Sequence, residues 1–208
     1  MHTLGWIGFR GAVIASLTAA AACGSASFSP SSTAGPSASE ATPAGSIVAT
    51  LTETFTSNFH GYSVKYPAGW STTLAAGPWV AGAAAANWGS PVLDDLRGSS
   101  VRLTAASQPL EAGQTMDAWL STYASGGACE GTNPSAWPTI PVGDQVGRMS
   151  ADGCAARGPS IAAGGRLFDI VVFVGGRAYD FTLDGDTDHA FVESILATVV
   201  FDPASAAS

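Results

Sequence analysis

Hydrophobic and polar residues alternate most clearly in the last third of the chain. Arg166-Leu-Phe-Asp-Ile-Val-Val-Phe-Val174 predicts the strongest strand. Gly175-Gly176 follows as a two-residue hairpin signal. Arg177 to Leu183 then pairs back, with Tyr179, Phe181 and Leu183 on one face and Ala178, Asp180 and Thr182 on the other. Earlier, Tyr62, Val64 and Tyr66 alternate with Ser63 and Lys65 until Pro67, which lacks a ladder donor, ends the strand. Ala68-Gly69 turns the chain and Trp70 re-enters an apolar layer. Ser99 to Ser107 predicts another strand, with Val101 and Leu103 inward and Arg102 and Thr104 outward. Shorter strands are predicted near 47–55, 71–74, 139–142 and 144–149, with a short return at Cys154.

Two segments carry helical spacing. Met116, Trp119, Leu120 and Tyr123 define an apolar stripe opened by Gln114 or Thr115, with Asp117 in the first turn. Thr187 to Val199 repeats the pattern through Phe191, Ile195, Leu196 and Val199. Residues 75–98 read as an irregular lobe. The sum is six or seven mostly antiparallel strands and two helices. The expected fold class is α/β (α+β): a central antiparallel sheet that buries its apolar surface under flanking helices.

The first 46 residues follow another logic. Gly11 to Ala22 is an apolar run of about 12 residues behind Arg10, shorter than the roughly 20 that span a membrane. Ala20-Ala21-Ala22-Cys23 closes it. This run of small residues before cysteine resembles a bacterial lipobox, although Ala20 stands where leucine is usual. An ordinary signal peptide, cut after small residues, is the alternative. The expected organisation is a lipoprotein signal peptide at 1–22 and a Ser/Ala/Pro-rich disordered tether at 23–46. A single domain at 47–203 and a tail at 204–208 complete it. Cys23 would carry the acyl chains, giving a cell-membrane anchor at the extracellular face.

Charge narrows the partners. The chain has 8 Lys+Arg against 16 Asp+Glu, for a net charge of −8, and contains no basic run. Neutralising a phosphate backbone needs clustered Lys/Arg, so no nucleic acid partner is expected.

Phe55, Gly61, Tyr62, Ser63, Tyr66, Pro67, Gly69 and Trp70 open a domain that ends in a hairpin and a helix. In this the chain resembles the PsbP family, extrinsic proteins of photosystem II. It is also similar to uncharacterised lipoproteins of high-GC Gram-positive bacteria through His60 to Trp70, Ser107 to Leu110, Ala118-Trp119-Leu120 and Arg177 to Gly185. The resemblance implies a PsbP-like sandwich and a binding or assembly role. It implies no enzymatic activity.

The candidate chemistry is sparse. Cys129 and Cys154 remain once Cys23 is acylated. An exported protein favours their pairing as a disulfide, worth about 3–4 kcal/mol for a loop of roughly 25 residues. His60 and His189 are expected at surface or helix-cap positions. Asp184-Gly185-Asp186-Thr187-Asp188 begins like a calcium loop but has His189 and Ile195 where an EF-hand needs glycine and glutamate. Capping by Asp186 or Asp188 explains the aspartates. Trp79, Trp88, Asp94 and Asp95 are the possible binding group. Two tryptophans and two carboxylates in one lobe suit a small ligand or metal, although adjacent strand residues point to opposite faces. No catalytic residue, resident metal or cofactor is expected. The expected function is a non-enzymatic surface lipoprotein that binds a protein partner; the alternative is an extracellular small-ligand or metal module using the Trp79/Trp88/Asp94 lobe.

Overall fold

A computed structural model describes residues 50–81, 90–124, 133–150, 154–155 and 164–207. All belong to one compact unit, Gly45–Ser208. The expected signal peptide, Cys23 and the whole tether lie outside the described residues, as do Trp88 and Cys129.

Eleven strands and two helices form the described fold. They are β1 (Leu51–Ser57), β2 (Tyr62–Pro67), β3 (Ser71–Thr73), β4 (Asp94–Arg97), β5 (Val101–Pro109), α1 (Met116–Ala124), β6 (Thr139–Val142), β7 (Gln145–Met149), β8 (Cys154–Ala155), β9 (Arg166–Val174), β10 (Arg177–Gly185), α2 (His189–Leu196) and β11 (Val200–Phe201). The large sheet runs β3-β4-β5-β10-β9-β7-β6, with β8 pairing to β9. The small sheet runs β1-β2-β11. Every pairing is antiparallel. The architecture is a mixed α/β fold with a large antiparallel sheet, a small one and two helices.

The period-two pattern sorts β9 onto two cores. Phe168, Ile170 and Val172 pack with Tyr179, Phe181 and Leu183 of β10 and with Val192, Ile195 and Leu196 of α2. Phe55, Tyr62 and Val64 of the small sheet join this layer. Leu167 and Val171 point the other way, to Trp119, Leu120 and Tyr123 of α1, with Phe173 packed at the edge of that core. Each fully buried large side chain contributes about 1.5–3 kcal/mol, so both faces of the central strands are stabilised. Helix ends follow the chemistry of their residues. Thr115 Oγ1 accepts the Ala118 amide before α1, and Asp188 Oδ1 accepts the Phe191 amide at 2.8 Å before α2.

Three expectations are corrected. Part of the lobe expected at 75–98 is β4, an integral strand of the sheet. Arg102 and Thr104 do not face solvent; each is 4% exposed, because the sheet is covered on both sides. The Cys129–Cys154 disulfide is absent: none of the three cysteines lies at or near disulfide distance of another. The backbone of Cys154 is instead engaged in β8, opposite Leu167 of β9.

Residues 203–207 return to the domain. The Ala207 amide donates to the Phe59 carbonyl at 2.9 Å, and Asp202 N donates to Gly61 O at 2.9 Å. Among the described residues no helix is long and apolar enough to cross a membrane.

Candidate functional site

The turn between β1 and β2 builds the most connected polar group. Gly61 takes φ +69, and its amide bonds to the Ser57 carbonyl at 3.0 Å. A Cβ there would sit 2.4 Å from the Asp202 carbonyl oxygen, so the close approach of the C-terminal segment requires glycine. This turn drives His60 inward, where it is 0% exposed. The expectation that His60 lies at the surface is therefore overturned.

Its ring bridges two strands of chain. The Ser107 amide donates to Nδ1 at 2.9 Å, so Nδ1 carries no proton. Nε2 must then hold the hydrogen, and it donates to the Val92 carbonyl at 3.1 Å. Burial lowers the His60 pKa; the Asp94 charge opposes this and Arg177 adds to it. The ring is a neutral, fixed tautomer.

Histidine, serine and aspartate meet here, but not as a nucleophilic triad. Ser107 Oγ lies 3.4 Å from His60 Nδ1, a position already filled by the Ser107 amide. The hydroxyl donates to the His60 carbonyl at 3.0 Å and accepts from Arg177 Nε and Nη2 at 3.2 and 3.0 Å. A serine nucleophile needs a base ready to take its proton. This proton points at a carbonyl instead.

Asp94 and Asp95 point to opposite faces of β4, as adjacent strand residues must. Asp94 is 0% exposed, accepts the Ala75 amide through Oδ1 at 2.8 Å, and lies near Tyr62 and His60. Burial, then the Asp94 charge, pushes the Tyr62 pKa well up. Neither Asp94 Oδ2 nor the Tyr62 hydroxyl closes a hydrogen bond of good geometry, although the two groups are near enough to interact. Asp95 forms a bidentate pair with Arg102 at 2.7 and 2.6 Å. Trp79 packs on Trp119 and Tyr123, at centroid distances of 6.1 and 6.4 Å. Trp79 thus belongs to the α1 core and Asp94 to the opposite face of the sheet. The expected Trp79/Asp94 site does not assemble.

The α1 face carries a group that sequence reasoning did not select. Tyr123 OH donates to Asp169 Oδ1 and lies 3.1 Å from Asp180 Oδ1. Burial first, then the adjacent Asp169, raises the Asp180 pKa well above the carboxylate range. Part of the Asp180 residue reaches solvent, while its carboxyl lies deep against Asp169 and Tyr123. Both effects favour the protonated form of Asp180 beneath the tyrosine. Asp169, the one acid inside a nine-residue strand that is apolar after Arg166, was the available signal.

His189 is exposed at the start of α2, 3.5 Å from Glu193. Among the described residues no group of three or more His, Cys, Asp or Glu is placed to hold a metal ion.

No protein-family model matches this chain, and no curated protein matches it. It is similar to a crystal structure from Bacteroides thetaiotaomicron VPI-5482, with 11% identity and a TM-score of 0.46, over 73% of this chain and 49% of that one. The chain therefore spans about half the length of that protein.

Proposed function

We propose that the chain is a non-enzymatic surface lipoprotein whose PsbP-like sandwich acts as a protein-interaction or assembly module. Cys23, acylated, would hold it at the outer face of the membrane. The supporting observation is the segment after β3. Leu74 and Val80 are 54% and 57% exposed, while Trp79 between them is only 8% exposed and packs on α1. β3 itself is an edge strand with all three residues exposed. Two large apolar side chains on a segment pinned by a buried tryptophan, beside an open strand edge, suit contact with another protein.

The competing readings have less support. His60 chemistry would need a free ring nitrogen, and both are engaged. The small-ligand lobe would need Trp79 and Asp94 on one side of the sheet.

Crosslinking in the protein's own cells, with Cys23→Ala as the control, tests this reading. A specific envelope partner captured by the wild type and lost in the control is the expected result. The same capture by both forms would contradict the tethered role, and no capture by either would contradict the interaction role.

A further inference from the structure

We infer that Arg177 is a binding site for the carboxylate group of a small ligand, held by the outer edge of its guanidinium. This site stands independently of the interaction module proposed above.

Arg177 opens β10 directly after the Gly175-Gly176 turn, in register with Pro109 of β5. It is 8% exposed. The guanidinium presents five N–H donors in a planar fork. One edge is occupied: Nε and Nη2 both donate to Ser107 Oγ, at 3.2 and 3.0 Å. The other edge, Nη1 with the second Nη2 proton, has no acceptor among the described residues. Those two parallel N–H bonds match the bite of a carboxylate.

The charge also lacks an ion-pair partner. Arg102, equally enclosed, is neutralised by Asp95 at 2.6 Å, and Arg97 reaches the same carboxylate at 3.7 Å. Arg177 forms no ion pair with any described carboxylate. Its hydroxyl partner is neutral, and His60 beside it is held neutral by its two hydrogen bonds. A largely buried cation without an ion-pair partner is unfavourable, and arginine cannot relieve this by losing its proton. A bound anion supplies the missing charge.

The neighbourhood selects a monoanion. Asp94 acts on His60 from the same network as Arg177, and the whole chain carries a net charge of −8. A carboxylate neutralises the single charge of Arg177, whereas a phosphate dianion adds a second negative charge to an already acidic surrounding. Beside Arg177, the turn residues Gly175 and Gly176 and the paired Pro109 are all exposed.

The test is a titration of the 15N-labelled protein with acetate, phosphate and chloride at matched ionic strength, following the Arg177 guanidinium signals. Acetate should give a saturable shift at Arg177 and at the Ser107 amide, with affinity in about the millimolar range expected for so few ligand atoms. Chloride should not. Arg177→Lys keeps the charge and loses the fork, and should weaken acetate by tenfold or more at the Ser107 amide. A series of larger carboxylates then grades the ligand class. Acetate shifts that do not exceed those of chloride would overturn the site. Tighter binding of phosphate than of acetate would overturn the carboxylate assignment. Both readings come from the wild type, so they hold even if Arg177→Lys fails to fold.

Discussion

His60 Nδ1 accepts the amide of Ser107, a residue 47 positions further along the chain. The bond ties the turn of the small sheet to β5 of the large one. Removing the ring in His60→Ala leaves the Ser107 amide and the Val92 carbonyl without partners and opens a cavity. The expected cost is about 2–4 kcal/mol in urea unfolding.

The same residue sets a pH dependence. Burial holds the folded His60 pKa below its ordinary value of 6.5. Between the two values the unfolded chain binds more protons than the folded one, so stability rises with pH. This contribution is complete above about pH 6.5 and is lost as the pH falls towards the folded value, with a slope of at most about 1.4 kcal/mol per pH unit. Wild-type stability should therefore fall more steeply than that of His60→Gln between about pH 7 and pH 5.5. Parallel curves would contradict the buried neutral ring.

Asp180 predicts the opposite sign. Its folded pKa is raised by burial and by Asp169. Above the unfolded carboxylate pKa of about 4 the folded chain holds the extra proton, so stability from this group falls as pH rises towards the folded value. Asp180→Asn keeps an acceptor for Tyr123 and removes the ionisation. Its stability relative to wild type should increase with pH, read from unfolding midpoints across the range. A constant difference would contradict the raised pKa of Asp180.

The hairpin and its helix were legible because their patterns are local. Arg166–Val174, Gly175-Gly176 and the stripe Phe191, Ile195, Leu196 each lie within a few residues of one another. β4 was hidden because Asp94-Asp95 breaks the apolar pattern, and their partners, the Ala75 amide and Arg102, lie 19 and 7 residues away. His60 was illegible for the same reason: its partners Val92 and Ser107 lie 32 and 47 residues away. Arg102 was misplaced because alternation predicts which residues share a face, not whether a second layer covers it. Asp180 was placed on the correct face, but nothing local marked its pairing with Asp169 and Tyr123.

Gly143 offers a test of packing between the β6–β7 turn and the end of α2. Its φ is +58, and a Cβ would lie 2.0 Å from the Val199 carbonyl oxygen. Its amide also donates to the Leu196 carbonyl at 2.9 Å. Gly143→Ala should cost at least about 2–3 kcal/mol, because backbone must move. Gly176→Ala, with similar φ and open space around it, should cost only about 1–2 kcal/mol. Equal losses would show that the close approach does not matter.

With no disulfide between Cys129 and Cys154, both thiols should react when the folded domain is denatured without reductant. Its melting temperature should not change when reductant is added. One blocked pair, released only by reduction, would contradict the separation of these cysteines.

The most direct test of the proposed interaction module is crosslinking capture, in the protein's own cells, by the full chain carrying Leu74→Asp and Val80→Asp. Both side chains are more than half exposed, so the fold and its melting temperature should be retained. The account predicts at least a tenfold loss of the captured partner. Full capture by the folded double variant would contradict the assignment of this surface as the docking site.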